Sequence, residues 1–360
     1  MNTELFAHIS AAIRDATHRP FTLRAATPVG GGSINETYRL EGTDGSRYFL
    51  KLNDAQHLPI PSTLRQGSGR AWLRTGFAAE AEGLNAIAAT NTLRVPRPIA
   101  HGTANSHSFL ILEYLELSSH GDAKLLGEQL AAMHRCTSDR ANENPNATAS
   151  LPPCRGKGRM GVEVRGNRVS TPSLALPLQV GGDSGTASRF GFPHDNFIGT
   201  TPQPNGWKDD WVDFWREHRL CFQLHLAAQN GYGGQLQALG GKLLDMLPAF
   251  FAGYTPQPSL LHGDLWSGNH AFLADSTPVI FDPAPYYGDR ECDLAMTELF
   301  GGYPTDFYAA YRAAYPLDAG YAVRKDLYNL YHILNHANLF GGGYVRQAEQ
   351  MMQRLLAGVG

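Results

Sequence analysis

Cysteine is scarce in this chain and is not arranged for chemistry. Cys136, Cys154, Cys221 and Cys292 include no CxxC pair, and no histidine stands at zinc-ligand spacing from them. They read as reduced thiols rather than a metal or disulfide framework. An excess of one charge is also missing. The 30 Lys and Arg against 33 Asp and Glu give a formal net charge of -3, with no long basic block, so a nucleic-acid-binding surface is not indicated. No apolar stretch is long enough to cross a membrane. The first twenty residues lack a basic segment leading into an apolar run, so no secretory signal is indicated. No internal repeat is evident.

What is present is ordinary globular material. Apolar residues make up 42% and charged residues 18% of 360 positions, enough for two lobes or two modest domains. Leu5, Phe6, Ile9, Ala12 and Ile13 predict an amphipathic helix within residues 1–20. Residues 21–52 read as strands, with a Gly-rich turn before the alternating Tyr38/Leu40 segment and a second strand in SRYFLKLN. Phe77, Ala81, Leu84, Ile87 and Ala88 predict a helix over 76–91. VPRPIAHG (95–102) reads as a Pro-rich connection, and 108–117 as a strand. The expected order is helix, β-hairpin, helix, strand. Helices are then expected at 121–135, 207–230 and 233–251, and across the Tyr-rich 305–357. Residues 137–189 break the pattern. They are rich in Gly, Pro, Ser, Asn and Arg without a helical period, and read as a flexible insertion with a short hairpin near 162–170, or as a lid or docking loop.

The chemistry is carried by His262-Gly-Asp-Leu-Trp-Ser-Gly-Asn269. A phosphotransferase loop needs a carboxylate to accept the proton of the substrate hydroxyl, and an amide oxygen five residues later to hold magnesium. Asp264 and Asn269 have that spacing. The apolar PVIFD segment then delivers Asp282 as a second magnesium ligand, and with ATP phosphates and water these suffice for an oxygen-loving ion. Each residue alone also has a plain reading: HGD is an ordinary turn, and Asp282-Pro283 ends many a strand. It is the set, in order, that is specific.

The upstream half supplies nucleotide-binding groups. Gly31, Gly32 and Ser33, following Gly30, can bring backbone N–H groups to phosphates, although such runs also make plain hairpins. Lys51 lies at an interior strand position among apolar residues, where a lysine can also snorkel to solvent. Glu80 on the following helix can pair with it, with Glu82 as its rival. Glu113, Tyr114 and Leu115 end a strand and would form the hinge that reads the adenine edge.

The segments GGGSINETYRL, YFLKLN, AEAEGLNAI, LEYLEL, FGFPHDNFIGTTPQPNGW, WVDFWREHRL, HGDLWSGN and FDPAPYYGDRECDLAM together resemble the fructosamine kinase (ketosamine-3-kinase) family, related to the aminoglycoside and choline phosphotransferases. The resemblance covers nearly the whole chain outside about 140–188. It implies an α+β, bilobal protein-kinase-like fold. A small N-lobe, 1–115, would hold an antiparallel sheet plus helix and bind ATP. A larger, mostly helical C-lobe, 116–360, would be catalytic and substrate-binding, with the insertion at 140–188. It also implies transfer of the ATP γ-phosphate to O3 of a ketosamine, free or on a glycated protein, with Asp264 as proton acceptor, Lys51, Glu80 and the hinge on ATP, and Asn269 and Asp282 on Mg2+. Trp266, Trp207, His194 and Asp195 would shape the sugar-amine pocket. His194 and Asp195 could equally fix their loop by hydrogen bonds, and core packing is expected of at least one of Trp211 and Trp215. Some relatives carry a cysteine in the Gly-rich loop where this chain has Ser33, so redox control there is not expected.

An insertion at a surface site costs only about 1–2 kcal/mol of loop-closure entropy, but it adjoins the substrate side. Two alternatives therefore stay open: a kinase for choline, an aminoglycoside or a free sugar, and an ATP-binding protein silenced by the insertion. The need for ATP and the missing signal place the chain in the cytoplasm.

Overall fold

The computed structural model describes residues 3–30, 35–54, 76–138 and 189–359. Gly31, Gly32, Ser33 and the 140–188 insertion lie outside the described residues. The N-terminal part is a five-stranded antiparallel sheet in the order β1-β2-β3-β5-β4. Its strands are β1 (Leu23–Pro28), β2 (Glu36–Gly42), β3 (Arg47–Asp54), β4 (Pro98–Ala104) and β5 (His107–Glu113). Helices α1 (Thr3–Thr17) and α2 (Gly76–Ala89) pack with it.

The period of two in the strands decides which lobe core each residue joins. Leu50 and Leu52 of β3, with Phe109 and Ile111 of β5, pack with Leu5, Phe6, Ile9 and Ile13 of α1. Leu110 and Leu112 of β5 instead join Phe77, Ala81, Leu84 and Ile87 of α2 and the main core. Lys51 lies between Leu50 and Leu52 and so points to the α2 side, paired in register with Leu110 and Thr37.

Two expectations are corrected here. The sheet has five strands rather than a hairpin and a single strand. The segment expected as a Pro-rich connection also supplies β4. Pro98 opens that strand at the sheet edge, beside a register shift between Pro98 and Ala100. An edge is where a missing N–H removes no ladder bond.

The C-terminal part is mostly helical. Its helices are α3 (Ala123–Met133), α4 (Trp211–Phe214), α5 (Phe222–Gln229), α6 (Gln235–Met246), α7 (Glu291–Leu299), α8 (Thr305–Ala314), α9 (Tyr321–Phe340) and α10 (Gly343–Val359). The expected helix over 207–230 starts at Trp211, where the Asp210 carboxylate caps the amide of Asp213. It continues through a π-helical stretch, Trp215–Cys221, into α5. Trp211 and Trp215 are both core residues, 5.5 Å apart. Short strands β6 (Asn196–Ile198) and β7 (Thr201–Gln203) form one hairpin, and β9 (His270–Phe272) and β10 (Pro278–Ile280) another. Strand β8 (Ser259–Leu260) pairs with β11 (Tyr287–Gly288). Cys136 and Cys292 are free thiols as expected, whereas Cys221 is disulfide-bonded.

Candidate functional site

The loop between β8 and β9 carries His262 to Asn269, and a buried carboxylate fixes its shape. Asp293, on the first turn of α7, accepts from the amides of His262 (2.7 Å) and Gly263 (2.8 Å). It also meets His134 Nε2 at 3.1 Å, whose Nδ1 meets the Tyr311 hydroxyl at 2.8 Å. Burial pushes the Asp293 carboxyl up, but the bond and charge of His134, with the His262 amide, outweigh it and hold the carboxyl below its usual range. Gly263 has φ +80, and a Cβ there would lie 2.0 Å from the Ala284 carbonyl oxygen. Only glycine fits this turn. His262 donates from Nε2 to the Phe281 carbonyl at 3.0 Å, so its Nδ1 can accept from the Asp264 amide at 3.3 Å.

Asp264 is half-buried on the cleft wall. Burial first, then the negative charge of Asp282, raises its carboxyl to about 7, against the opposing hydrogen bond from Asn269. Asn269 Nδ2 donates to the Asp264 carbonyl (2.8 Å) and carboxylate (3.3 Å). Its donors are thus committed to the loop, and its amide oxygen remains as an acceptor in the cleft. Asp282 stands just beyond β10 with φ +59, a left-handed conformation that Asp tolerates better than most residues.

Lys51 joins the two halves. Its ammonium donates to Glu80 Oε1 at 2.6 Å and to the Asp282 carboxylate. Burial opposes its charge, yet Asp282 and then Glu80 outweigh that and raise its pKa. Of the two rival carboxylates on α2, Glu80 therefore pairs with the lysine. Glu82 pairs instead with His194 at 2.8 Å. Gly83 lets the helix come close: a Cβ there would sit 2.7 Å from Pro285 Cγ.

Lys51, Glu80, Asp264, Trp266, Asn269 and Asp282 line one cavity of about 570 Å³, together with Asn35, Asn53, Phe77 and the Asn196–Thr200 turn. This volume suits a small-molecule site. A lysine, oxygen donors from an amide and a carboxylate, and a poised carboxylate in one cleft can hold a polyphosphate with its cation and take a proton from an alcohol. The donor set fits magnesium: all oxygen, few protein ligands, and room for water and phosphate.

Apart from Trp266, the other expected residues among those described sit outside that wall. Glu113 pairs with Arg94 at 2.6 Å and accepts from the Arg97 amide. Tyr114 lies under the Arg47 guanidinium at 5.0 Å, and Leu115 is half-buried just beyond β5. Trp207 stacks on Tyr287 at 6.1 Å. Asp195 Oδ1 accepts from the Asn205 amide at 2.6 Å, which fixes the loop beside the β6–β7 hairpin. Trp266, 38% exposed, stands at the cleft rim with its ring over Gly268.

Sequence reasoning missed the layer beneath the cleft. Asn196 donates to the Pro285 carbonyl (2.7 Å), and Gln203 to the Ala284 carbonyl (3.0 Å) and to Asn196 (2.7 Å). Together they pin the chain just after Asp282. Arg219 supports them from below. Fully buried, it donates to Asn205 Oδ1 and the Pro204 carbonyl, with its guanidinium 4.0 Å from the Tyr286 ring centroid. Polar residues interleaved with aromatics were the available signal, but period alone cannot tell such a buried network from a solvated face.

Comparison with known proteins agrees with this geometry. The family model described as "Fructosamine kinase" matches residues 5–143 and 168–358. The chain belongs to the fructosamine kinase family. Between those two segments the family model leaves only 144–167 unmatched, a narrower stretch than the 140–188 singled out in the sequence, whose residues 140–143 and 168–188 it matches. The chain is 42% identical over 351 residues to a Synechocystis protein named "Probable ketoamine kinase", covering 97% of this chain and 96% of that one. It is 34% identical to the chloroplastic protein-ribulosamine 3-kinase of Oryza sativa subsp. indica, covering 93% and 79%. Among solved structures, a proposed fructosamine-3-kinase from Haemophilus somnus superimposes with TM-score 0.70 at 26% identity, covering 97% and 96%. An ADP-bound aminoglycoside phosphotransferase matches at TM-score 0.56 and 10% identity, covering 99% of each chain, which speaks for the fold alone. As a fructosamine kinase family member with this bilobal protein-kinase-like fold, the chain is an ATP-using phosphotransferase with an alcohol acceptor. Among the described residues, no helix is long and apolar enough to cross a membrane.

Proposed function

We propose that this chain transfers the γ-phosphate of ATP to O3 of a ketosamine of the fructosamine or ribulosamine type, in the cytoplasm, as a step in deglycating amines or proteins. The observation that carries the reading is the meeting of Asp264, Asn269, Asp282, Lys51 and Glu80 in one cleft, in a chain whose relatives bear ketoamine and ribulosamine kinase names.

In this mechanism Lys51, steadied by Glu80, holds the α- and β-phosphates. The Asn269 amide oxygen and the Asp282 carboxylate would hold Mg2+, which would supply positive charge to offset that of the nucleotide phosphates. Asp264 orients the sugar hydroxyl toward the γ-phosphorus and accepts its proton as the new P–O bond forms and the bond to ADP breaks. A carboxyl titrating near 7 suits a base at neutral pH. Gly31, Gly32 and Ser33 cover the phosphates, and Glu113, Tyr114 and Leu115 read the adenine. Trp266, Trp207, His194 and Asp195 bound the acceptor side, Asp195 through its hold on the hairpin loop.

The test is ADP release on a panel of fructosamines, ribulosamines, choline, aminoglycosides and free sugars, with the phosphorylated position assigned by NMR. Turnover restricted to amine-linked ketoses, with phosphate on O3, is expected. Equal or better turnover of choline or a free sugar would sink the proposal.

A further inference from the structure

Asn53 follows Lys51 by two residues on β3, so the two side chains stand on the same face of the sheet. Both line the cleft. The register of β3 on β5 gives the direction. Tyr48 pairs with Glu113 at the hinge end, Lys51 with Leu110, and Asn53 with Ser108 toward the opposite end. Asn53 therefore lies roughly 7 Å beyond Lys51, on the side away from the segment proposed to read the adenine. Asn35, Asn53 and Ser108 belong to the cavity wall, whereas Glu113, Tyr114 and Leu115 do not. The cavity thus extends from Lys51 away from the hinge. Gly76 and Phe77, one turn before Glu80 on α2, also line it and meet the β6–β7 hairpin there: a Cβ on Gly76 would lie 3.7 Å from Phe197 Cδ2.

Asn53 Nδ2 donates to Asn35 Oδ1 at 2.9 Å. An amide side chain has two N–H donors and an acceptor oxygen. This bond therefore fixes one amide against the other and leaves Asn53 its oxygen and a second N–H. The charged side chains of the cavity wall are Lys51, Glu80, Asp264 and Asp282. Glu80 and Asp282 are paired with Lys51, and Asp264 is the proposed base. Among the described residues, the wall beyond Lys51 adds no further charge. That end suits a neutral polyhydroxyl chain, whose hydroxyls donate and accept as the amide does. A quaternary ammonium has no proton to donate, and the ammonium groups of an aminoglycoside would find no uncommitted carboxylate there.

With the adenine at the hinge and the phosphates at Lys51, the transferred phosphate and its acceptor must meet in the space beyond. In an open-chain ketosamine C2 carries the carbonyl, so O4 is the hydroxyl neighbour of O3. Building on the ketosamine reading, we infer that the Asn53 amide hydrogen-bonds O4 of the sugar while O3 faces Asp264, and that Asn35 is the positioning residue that holds the amide in place. The pair thereby selects a polyhydroxyl acceptor.

The test compares kcat/KM for one fructosamine and for its 4-deoxy analogue. An unmade hydrogen bond at a polar site costs about tenfold, so the fructosamine should be preferred by that factor, through the KM for ketosamine. Asn53→Leu is close in size and removes the hydrogen-bonding groups. In it the preference falls toward one, while the KM for ATP stays in place. A tie that merely braced Asn35 against β3 would leave the preference untouched. Asn35→Ala, which frees the Asn53 amide, gives a second reading should the first variant fold poorly, and the preference shrinks there too. Equal kcat/KM for the two compounds in the parent enzyme overturns the inference, as does a preference that survives both substitutions. A raised KM for ATP with the preference intact would assign the amide to the nucleotide and overturn it as well. Failure of the parent to phosphorylate the fructosamine would instead sink the ketosamine reading, and this inference with it.

Discussion

Glu80 on α2 meets Lys51 on β3 at 2.6 Å, while the same ammonium reaches Asp282 beyond β10. One cation thus couples the sheet, α2 and the loop that follows β10. Glu80→Gln leaves Lys51 with Asp282 as its remaining carboxylate, which draws the ammonium toward the carboxylate proposed to hold the metal and away from the proposed phosphate position. Displacement on the order of an ångström costs about a hundredfold in rate. The expected outcome is a kcat/KM for ATP lower by about that factor, with circular dichroism unchanged. Steady-state kinetics at varied ATP would check it, and a parent-like value would refute this role for the pair.

Asp264→Asn keeps the size of the side chain and removes the base. General-base contributions run to about 10²–10⁴-fold, so kcat should fall by that much while the ATP dissociation constant moves only a few-fold. In the parent enzyme the working form is deprotonated. With the carboxyl titrating at about 7, kcat/KM should rise with pH below that value and level off above it. A flat profile between pH 5 and 8 would argue against Asp264 as the base.

Most of the cleft was legible in the sequence, because HGDLWSGN and PVIFD place three chemical groups by local spacing alone. Glu80 is favoured over its rival Glu82 by its place at the border of the Phe77/Ala81/Leu84 stripe, and the structure pairs Glu80 with Lys51, although a helix pattern by itself gives a face and not its neighbour across a sheet. The edge strand β4 was hidden by two prolines, which mark irregular chain in most contexts and are tolerated here because the edge needs no donor. Asn196, Gln203 and Arg219 were missed for a different reason. Their partners are backbone carbonyls and rings far away in sequence, and no periodicity encodes such pairings.

Gly83 tests how closely α2 must dock. Alanine there would favour the helix by about 1 kcal/mol, yet its Cβ would press on Pro285, a ring that cannot rotate away. Overpacking costs about 1–3 kcal/mol, so Gly83→Ala should be neutral to mildly destabilising. Its effect on activity should be larger, because moving α2 moves Glu80 away from Lys51. Thermal melts and ATP kinetics on the same sample would show a raised KM with little change in Tm. A parent-like KM would mean that α2 accommodates the methyl without shifting Glu80.

Asp293 is the anchor of the Asp264 loop. Asp293→Asn turns one acceptor oxygen into a donor facing the amide of His262 or Gly263, and breaks the pairing with His134. Leaving buried polar groups unpaired costs about 1–3 kcal/mol each, so a loss of roughly 3 kcal/mol in urea unfolding is expected, with activity falling alongside. The carboxyl's folded value is depressed, so its stabilisation is present above the unfolded value and is lost as pH falls through the folded one. The variant should lack that part of the parent's acid sensitivity.

Acid should also act through two buried histidines. Burial, followed by the positive charges of Arg219 and Lys208, lowers His218 to about 4. Burial, followed by His336, lowers His332 to about 3. An unfolded histidine titrates near 6.5, so between that value and the folded one the unfolded chain takes up a proton that the fold refuses. Stability must therefore fall as pH drops from 6.5, and this contribution becomes constant below the folded values. For each histidine the loss between pH 7 and pH 5 is about 2 kcal/mol. Urea unfolding of the parent and of His218→Phe at the two pH values isolates one share. The variant should lose about 2 kcal/mol less than the parent on acidification, whatever its stability at pH 7. An identical loss in both proteins would mean that His218 is already accessible to protons in the fold.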